Sequence, residues 1–114
     1  MAARHIQLGH RWGCHPLWDP DWDTDVDPSL LPIPASLITR LEAWAARWDL
    51  TFDHEQPDHP KVERFVIDEL GRDGARLWRA LLGLLPPQDW EITYVHEDVI
   101  YRTITELPLD WRLG

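Results

Sequence analysis

The chain has 114 residues, with 20 Asp and Glu against 11 Lys and Arg, a formal net charge of −9, eight Trp, ten Pro and one Cys. This balance argues against direct nucleic-acid binding, which needs clustered Lys and Arg, and a single cysteine rules out an internal disulfide framework. No apolar run approaches the ~18 residues of a membrane span and MAARHIQLG lacks the apolar core of a signal peptide, so the expectation is one cytoplasmic domain over residues 1–114, without a membrane partner.

In chain order, Arg4 to Leu8 alternates weakly, with Ile6 and Leu8 on one side, and reads as a short strand ended by Gly9. The stretch HRWGCHPLWDPDWDTDVDP has neither a helical nor a strand period and reads as an ordered loop, with Trp12, Trp18 and Trp22 covering the edge of the core. Pro28 to Pro34 is expected to be extended, because a residue before proline is pushed out of the α region. From Ala35 to Asp49, Leu37, Leu41, Trp44, Ala45 and Trp48 form a compact apolar stripe, predicting a helix. A polar loop follows, with Phe52 turned inward and Asp58 or His59 placed to cap the next helix.

That helix, Pro60 to Leu85, has the longest helical spacing in the chain: Val62, Phe65, Val66, Leu70, Leu77, Trp78, Leu81 and Leu85. Pro60 suits a first turn and Pro86-Pro87 stops the run. Gly71 and Gly74 each cost about 1 kcal/mol relative to Ala, which leaves open a kink or a break near Arg72. Beyond the prolines the period becomes two. Trp90 to Val95 and Val99 to Thr105 are expected to form a hairpin around His96-Glu97-Asp98, whose turn lacks the Asn-Gly signature. The tail ELPLDWRLG is irregular, with Trp111 docking back. The fold class is α+β: two main helices packed on a small antiparallel sheet with a C-terminal hairpin. Its predicted core is Leu37, Leu41, Trp44, Phe65, Val66, Leu70, Leu77, Trp78, Leu81 and Ile92.

The chain contains no catalytic motif. Asp19, Asp21, Asp23, Asp25 and Asp27 form a ladder that invites a calcium reading, but the Gly and Glu that an EF-hand loop requires at its sixth and twelfth positions are absent. His10, Cys14 and His15, with His54 and His59, match no established zinc spacing. Cys14 has no identifiable orienting partner for nucleophilic work, and Gly71 to Gly74 is not a phosphate loop. The expectation is therefore a non-enzyme without a cofactor or tightly bound metal. The alternative is a small zinc- or calcium-binding protein, or an enzyme subunit, using His10, Cys14, His15 or the Asp19–Asp27 ladder.

The acid is segregated: residues 12–39 hold five aspartates and no Lys or Arg, whereas residues 61–86 are close to neutral. An acidic loop that also carries aromatic anchors suits a docking surface, since aromatics supply binding energy and charge steers the partner. The candidate contact residues are Trp18, Asp19, Asp21, Trp22, Asp23, Asp25 and Asp27, followed by Glu91, Glu97 and Asp98 on the hairpin.

The motifs GCHPLW (residues 13–18), LPIPASLITRLEAWAARWD (31–49) and FVIDELGRDGARLWRALLGLLP (65–86) resemble those of small, acidic bacterial proteins, several of them similar to immunity proteins encoded beside secreted or contact-delivered toxins. The resemblance implies a protein that binds and neutralises a cognate protein toxin by occlusion in the cytoplasm of its own cell. The negative charge makes a basic toxin domain, such as a nuclease, the best electrostatic match.

Overall fold

The computed structural model describes residues 3–11, 13–51 and 62–112. Strands β1 (Arg4–Leu8), β2 (Leu17–Asp19) and β3 (Thr24–Val26) come first, followed by a short 3-10 turn at Pro28–Leu30 and helix α1 (Ala35–Asp49). Helix α2 (Arg64–Leu84), strands β4 (Trp90–His96) and β5 (Val99–Tyr101), a second 3-10 turn at Ile104–Glu106 and helix α3 (Leu109–Arg112) complete the order. The strands form one five-stranded sheet in the order β3-β2-β1-β4-β5. Its central pair, β1 and β4, is parallel and runs in register from Arg4 opposite Trp90 to Leu8 opposite Tyr94, while the other three pairs are antiparallel. A parallel pair needs a crossover, and α1 and α2 lie within the one that joins these strands. The α+β class, the two main helices and the C-terminal strand pair are as the sequence implies, but the sheet is mixed rather than wholly antiparallel.

The helices cover one face of the sheet. Ile6, Leu8, Leu17, Val26, Ile92 and Tyr94 are buried beneath them, as strand alternation requires of one side of each strand. From α1 come Leu37, Leu41, Trp44, Ala45 and Trp48, the predicted stripe. From α2 come Ile67, Leu70, Gly71, Gly74, Ala75, Leu77, Trp78 and Leu81: Leu70, Leu77, Trp78 and Leu81 are as predicted, and Ile67, Gly71, Gly74 and Ala75 join them. Phe65 is 62% exposed and Val66 is only partly buried.

The two glycines explain the difference. A Cβ on Gly74 would collide with the Tyr94 hydroxyl and approach Trp44 to 2.6 Å, and one on Gly71 would strike Trp111 and the His96 ring. These glycines are the flat places where large rings reach the helix backbone, and α2 continues through them unbroken. Tyr94 donates its hydroxyl proton to the Gly71 carbonyl at 2.7 Å, and the Trp44 indole donates to the Leu70 carbonyl at 2.9 Å. On the same side, Trp78 donates to the Ile92 carbonyl of β4 at 2.9 Å. Tyr94, Trp44 and Trp78 therefore keep their polar atoms satisfied while packing apolar surface.

Several boundaries also move. Helix α2 begins at Arg64, with Glu63 extended ahead of it, so the helix does not run from Pro60. The stretch read as a loop holds β2 and β3, whose three-residue length is too short to show a period. Part of Pro28–Pro34 coils into a 3-10 turn, capped by the Asp27 carboxylate, which accepts the Ser29 N–H. Strand β5 stops at Tyr101 instead of reaching Thr105, because the Arg102 and Thr103 N–H groups turn to the Glu106 side chain. Trp111 does dock back, edge-on to His96 at 5.2 Å between ring centres. Trp12, Phe52 and the Asp58 or His59 cap lie outside the described residues.

Candidate functional site

Residues opposite one another in a sheet share a face. The pairs Asp25–Trp18, Trp18–Gln7 and Gln7–Thr93 therefore form one row across the side turned away from the helices. His5 opposite Glu91 and Val95 opposite Ile100 extend that surface. His5 and Thr93 join their side chains at 2.9 Å, and Arg11 lays its guanidinium over the Trp18 ring at 4.1 Å, a cation–π contact. Among the described elements no helix packs on this face.

Beside Trp18 the surface is concave. A hollow of about 160 Å³ is lined by Gln7, Gly9, His10, Arg11, Trp18, Val95 and Asp98. A second hollow of about 190 Å³ shares His10, Val95 and Asp98 with it and continues to Trp48, His96 and Glu97. The two make a groove around the end of β4. At its rim Glu97 and Asp98 form a two-residue turn in which both have positive φ, 50° and 69°, the backbone of a type I′ hairpin built without Gly or Asn. That turn places Asp98 in the lining of both hollows.

The candidate contact residues separate into distinct roles. Asp19 is 2% exposed; its carboxylate accepts the Asp21 and Trp22 N–H groups at 3.0 and 3.1 Å and meets Arg4 at 3.5 Å. It organises the β2–β3 turn from inside. Asp27 caps the 3-10 turn, and its bonds from Ser29 hold its carboxyl below the usual range. Asp25 accepts the His15 N–H at 3.1 Å. Asp21, Trp22 and Asp23 stand exposed in the turn, Trp22 at 80%. Glu97 is gripped by Arg64, which lowers its pKa. The ladder is thus not one surface: Trp18, Asp25, Glu91 and Asp98 belong to the uncovered face and its rim, Asp21, Trp22 and Asp23 to its edge, and Asp19 and Asp27 to the fold.

Gln7, Arg11, Val95 and Ile100 are part of this face and escaped the sequence reading. The weak alternation of RHIQL already turned Gln7 away from Ile6 and Leu8, but without the β1–β4 pairing nothing joined it to Val95 or Trp18.

The histidines also disperse. His10 bonds Asp49 at 2.7 Å and stacks on Trp48. His15 bonds Glu42 at 2.9 Å, which raises its pKa. His96 is buried among Trp48, Tyr94 and Trp111, and burial lowers its pKa. His54 and His59 lie outside the described residues. No described helix is long and apolar enough to cross a membrane.

A family model described as Serratia CdiI immunity protein-like matches residues 4–97, which takes in both main helices and strands β1 to β4. No curated protein matches the chain.

Proposed function

Since the chain belongs to the Serratia CdiI immunity protein-like family, we propose that it neutralises its toxin by occlusion, laying the uncovered face of its sheet over the toxin domain in the cytoplasm of the cell that makes both. The observation that carries this reading is the groove beside Trp18. Its lining joins an aromatic anchor, held by Arg11, to Asp98, and the sheet face it lies on also carries Asp25 and Glu91, with Asp21, Trp22 and Asp23 in the turn at the edge of that face. Aromatic anchors ringed by charge are the usual anatomy of a protein-binding hot spot.

A surface of this sign suits a partner with a basic face. Its carboxylates speed encounter, and salt, with a screening length of about 8 Å at physiological strength, slows it. Nothing in this reading requires the protein to turn over a substrate, and an immunity-protein family is consistent with the absence of a catalytic motif in the sequence.

Co-purification with the product of the adjacent gene, followed by titration at low and high salt, tests the proposal. A stoichiometric complex whose association rate falls with salt is expected. A toxin that is neutralised without a stable complex would remove occlusion from the account.

A further inference from the structure

Among the described residues, two clusters bring a histidine nitrogen and two carboxylate oxygens within 4.8 Å of one another: Asp68, His96 and Glu97, and His15, Asp27 and Glu42. They differ in what neutralises them. In the first, Arg64 holds Glu97 through both terminal guanidinium nitrogens and meets Asp68 at 3.1 Å, so a built-in cation already fills the gap between the carboxylates. In the second, no described Arg or Lys forms an ion pair with Asp27 or Glu42. Glu42 bonds His15 Nδ1. Asp27 uses one oxygen, Oδ1, for both the N–H and the hydroxyl of Ser29, which leaves Oδ2 available. Asp25, which fixes the His15 backbone, adds another negative charge beside them, and the cluster borders a concavity of about 310 Å³ lined by Gly13, Cys14, His15, Asp25 and Glu42 with the α1 side chains Ala45, Ala46 and Asp49.

We propose that His15, Asp27 and Glu42 form a binding site for a divalent ion of the zinc class, tying the loop before β2 and the turn after β3 to helix α1. The donor set selects the ion. An imidazole nitrogen favours zinc, cobalt, nickel or copper over calcium and magnesium, and calcium takes six to eight oxygen ligands, more than these three groups supply. Zinc accepts nitrogen and carboxylate oxygen together, and three protein ligands plus water is one of its common arrangements. The three ligands come from segments far apart in the chain, which is why residue spacing does not announce them. The set also differs from the His10, Cys14 and His15 grouping of the sequence alternative, since His10 turns to Asp49 instead.

The three ligands are not among the residues placed on the toxin-binding face, although Asp25 borders both, and the site is tested on the full chain alone. Protein stripped with chelator and then dialysed is titrated with Zn²⁺ by calorimetry, with thermal melting in parallel. One ion per chain and a higher melting temperature are expected. Glu42→Gln keeps the side-chain shape and a hydrogen bond to His15, so it separates a lost ligand from a lost fold. Both it and His15→Ala should weaken binding by more than the roughly 10–100-fold that follows loss of an outer-shell partner, while His10→Ala and His96→Phe leave it in place. The proposal is overturned if Zn²⁺ does not bind saturably, or if it binds the His15→Ala and Glu42→Gln proteins as well as the parent.

Discussion

The two sides of one five-stranded sheet have opposite characters. Toward the helices lie Ile6, Leu8, Leu17 and Tyr94, all without exposed surface, and toward the open side lie His5, Gln7, Trp18 and Val95, all partly wet. Strand alternation assigns neighbouring residues to the two sides, so adjacent positions in β1, β2 and β4 serve different ends. The tryptophans divide the same way. Trp44 and Trp78 are buried with their N–H groups bonded to backbone carbonyls, whereas Trp18 lies under a guanidinium and Trp22 is exposed. On the proposed reading, stability belongs to the covered side and recognition to the open one, so each can be altered separately by choosing the side.

The largest expected effect is on the covered side. Trp78→Ala removes a fully buried ring and leaves its cavity, costing about 3–5 kcal/mol out of the ~5–15 kcal/mol typical of a domain. Chemical denaturation should show a midpoint lowered accordingly; an unchanged midpoint would mean the ring is not the keystone between α2 and β4. Next in size is Gly74→Ala. Helix propensity alone would favour Ala by about 1 kcal/mol, but the new methyl must displace Tyr94 and Trp44, and overpacking costs about 1–3 kcal/mol. The melting temperature should fall, and a rise would show that the ring-to-helix contact is loose.

A smaller, pH-dependent effect follows from His96. Burial holds its imidazole below its ordinary pKa; Glu97 and Asp68 oppose that shift and Arg64 reinforces it. Between the folded value and about 6.5, its unfolded value, the unfolded chain binds more protons than the folded one, so stability declines as pH falls through that window. His15 has the opposite sign: its contribution is complete below about 6.5 and is lost as pH rises through its raised folded value. Melting temperature against pH should therefore have a shallower acid limb in His96→Phe than in the parent. Identical acid limbs would show that this histidine is not the group responsible.

The sequence made α1, the C-terminal hairpin and the α+β class legible because their periods are long enough to count. The inward face of α2 was legible at Leu70, Leu77, Trp78 and Leu81 but not at its glycines. A hydrophobic count scores Gly71 and Gly74 as breaks, while packing uses them as contact points, and the count therefore pulled Phe65 into the core. Strands β2 and β3 were hidden by brevity, and the parallel β1–β4 pair by the distance between its partners. The site was partly legible: Trp18 and the acidic residues stood out by composition. What composition could not show is that Asp19 folds inward, or that Asp98 comes to the same groove as Trp18.

The contrast between the two sides is tested most directly by charge reversal confined to the open one. A variant carrying Asp21→Lys, Glu91→Lys and Asp98→Lys changes three exposed side chains with no ion pair or hydrogen bond from their carboxylates among the described residues, and surface changes of this kind usually alter stability by about 0.5 kcal/mol or less each. Stopped-flow association with the cognate toxin, measured at low and high salt, should be at least about tenfold slower than the parent at low salt and should converge with it at high salt, with the melting temperature nearly unchanged. An association rate equal to the parent's at low salt would contradict the assignment of the uncovered sheet face as the surface that meets the toxin.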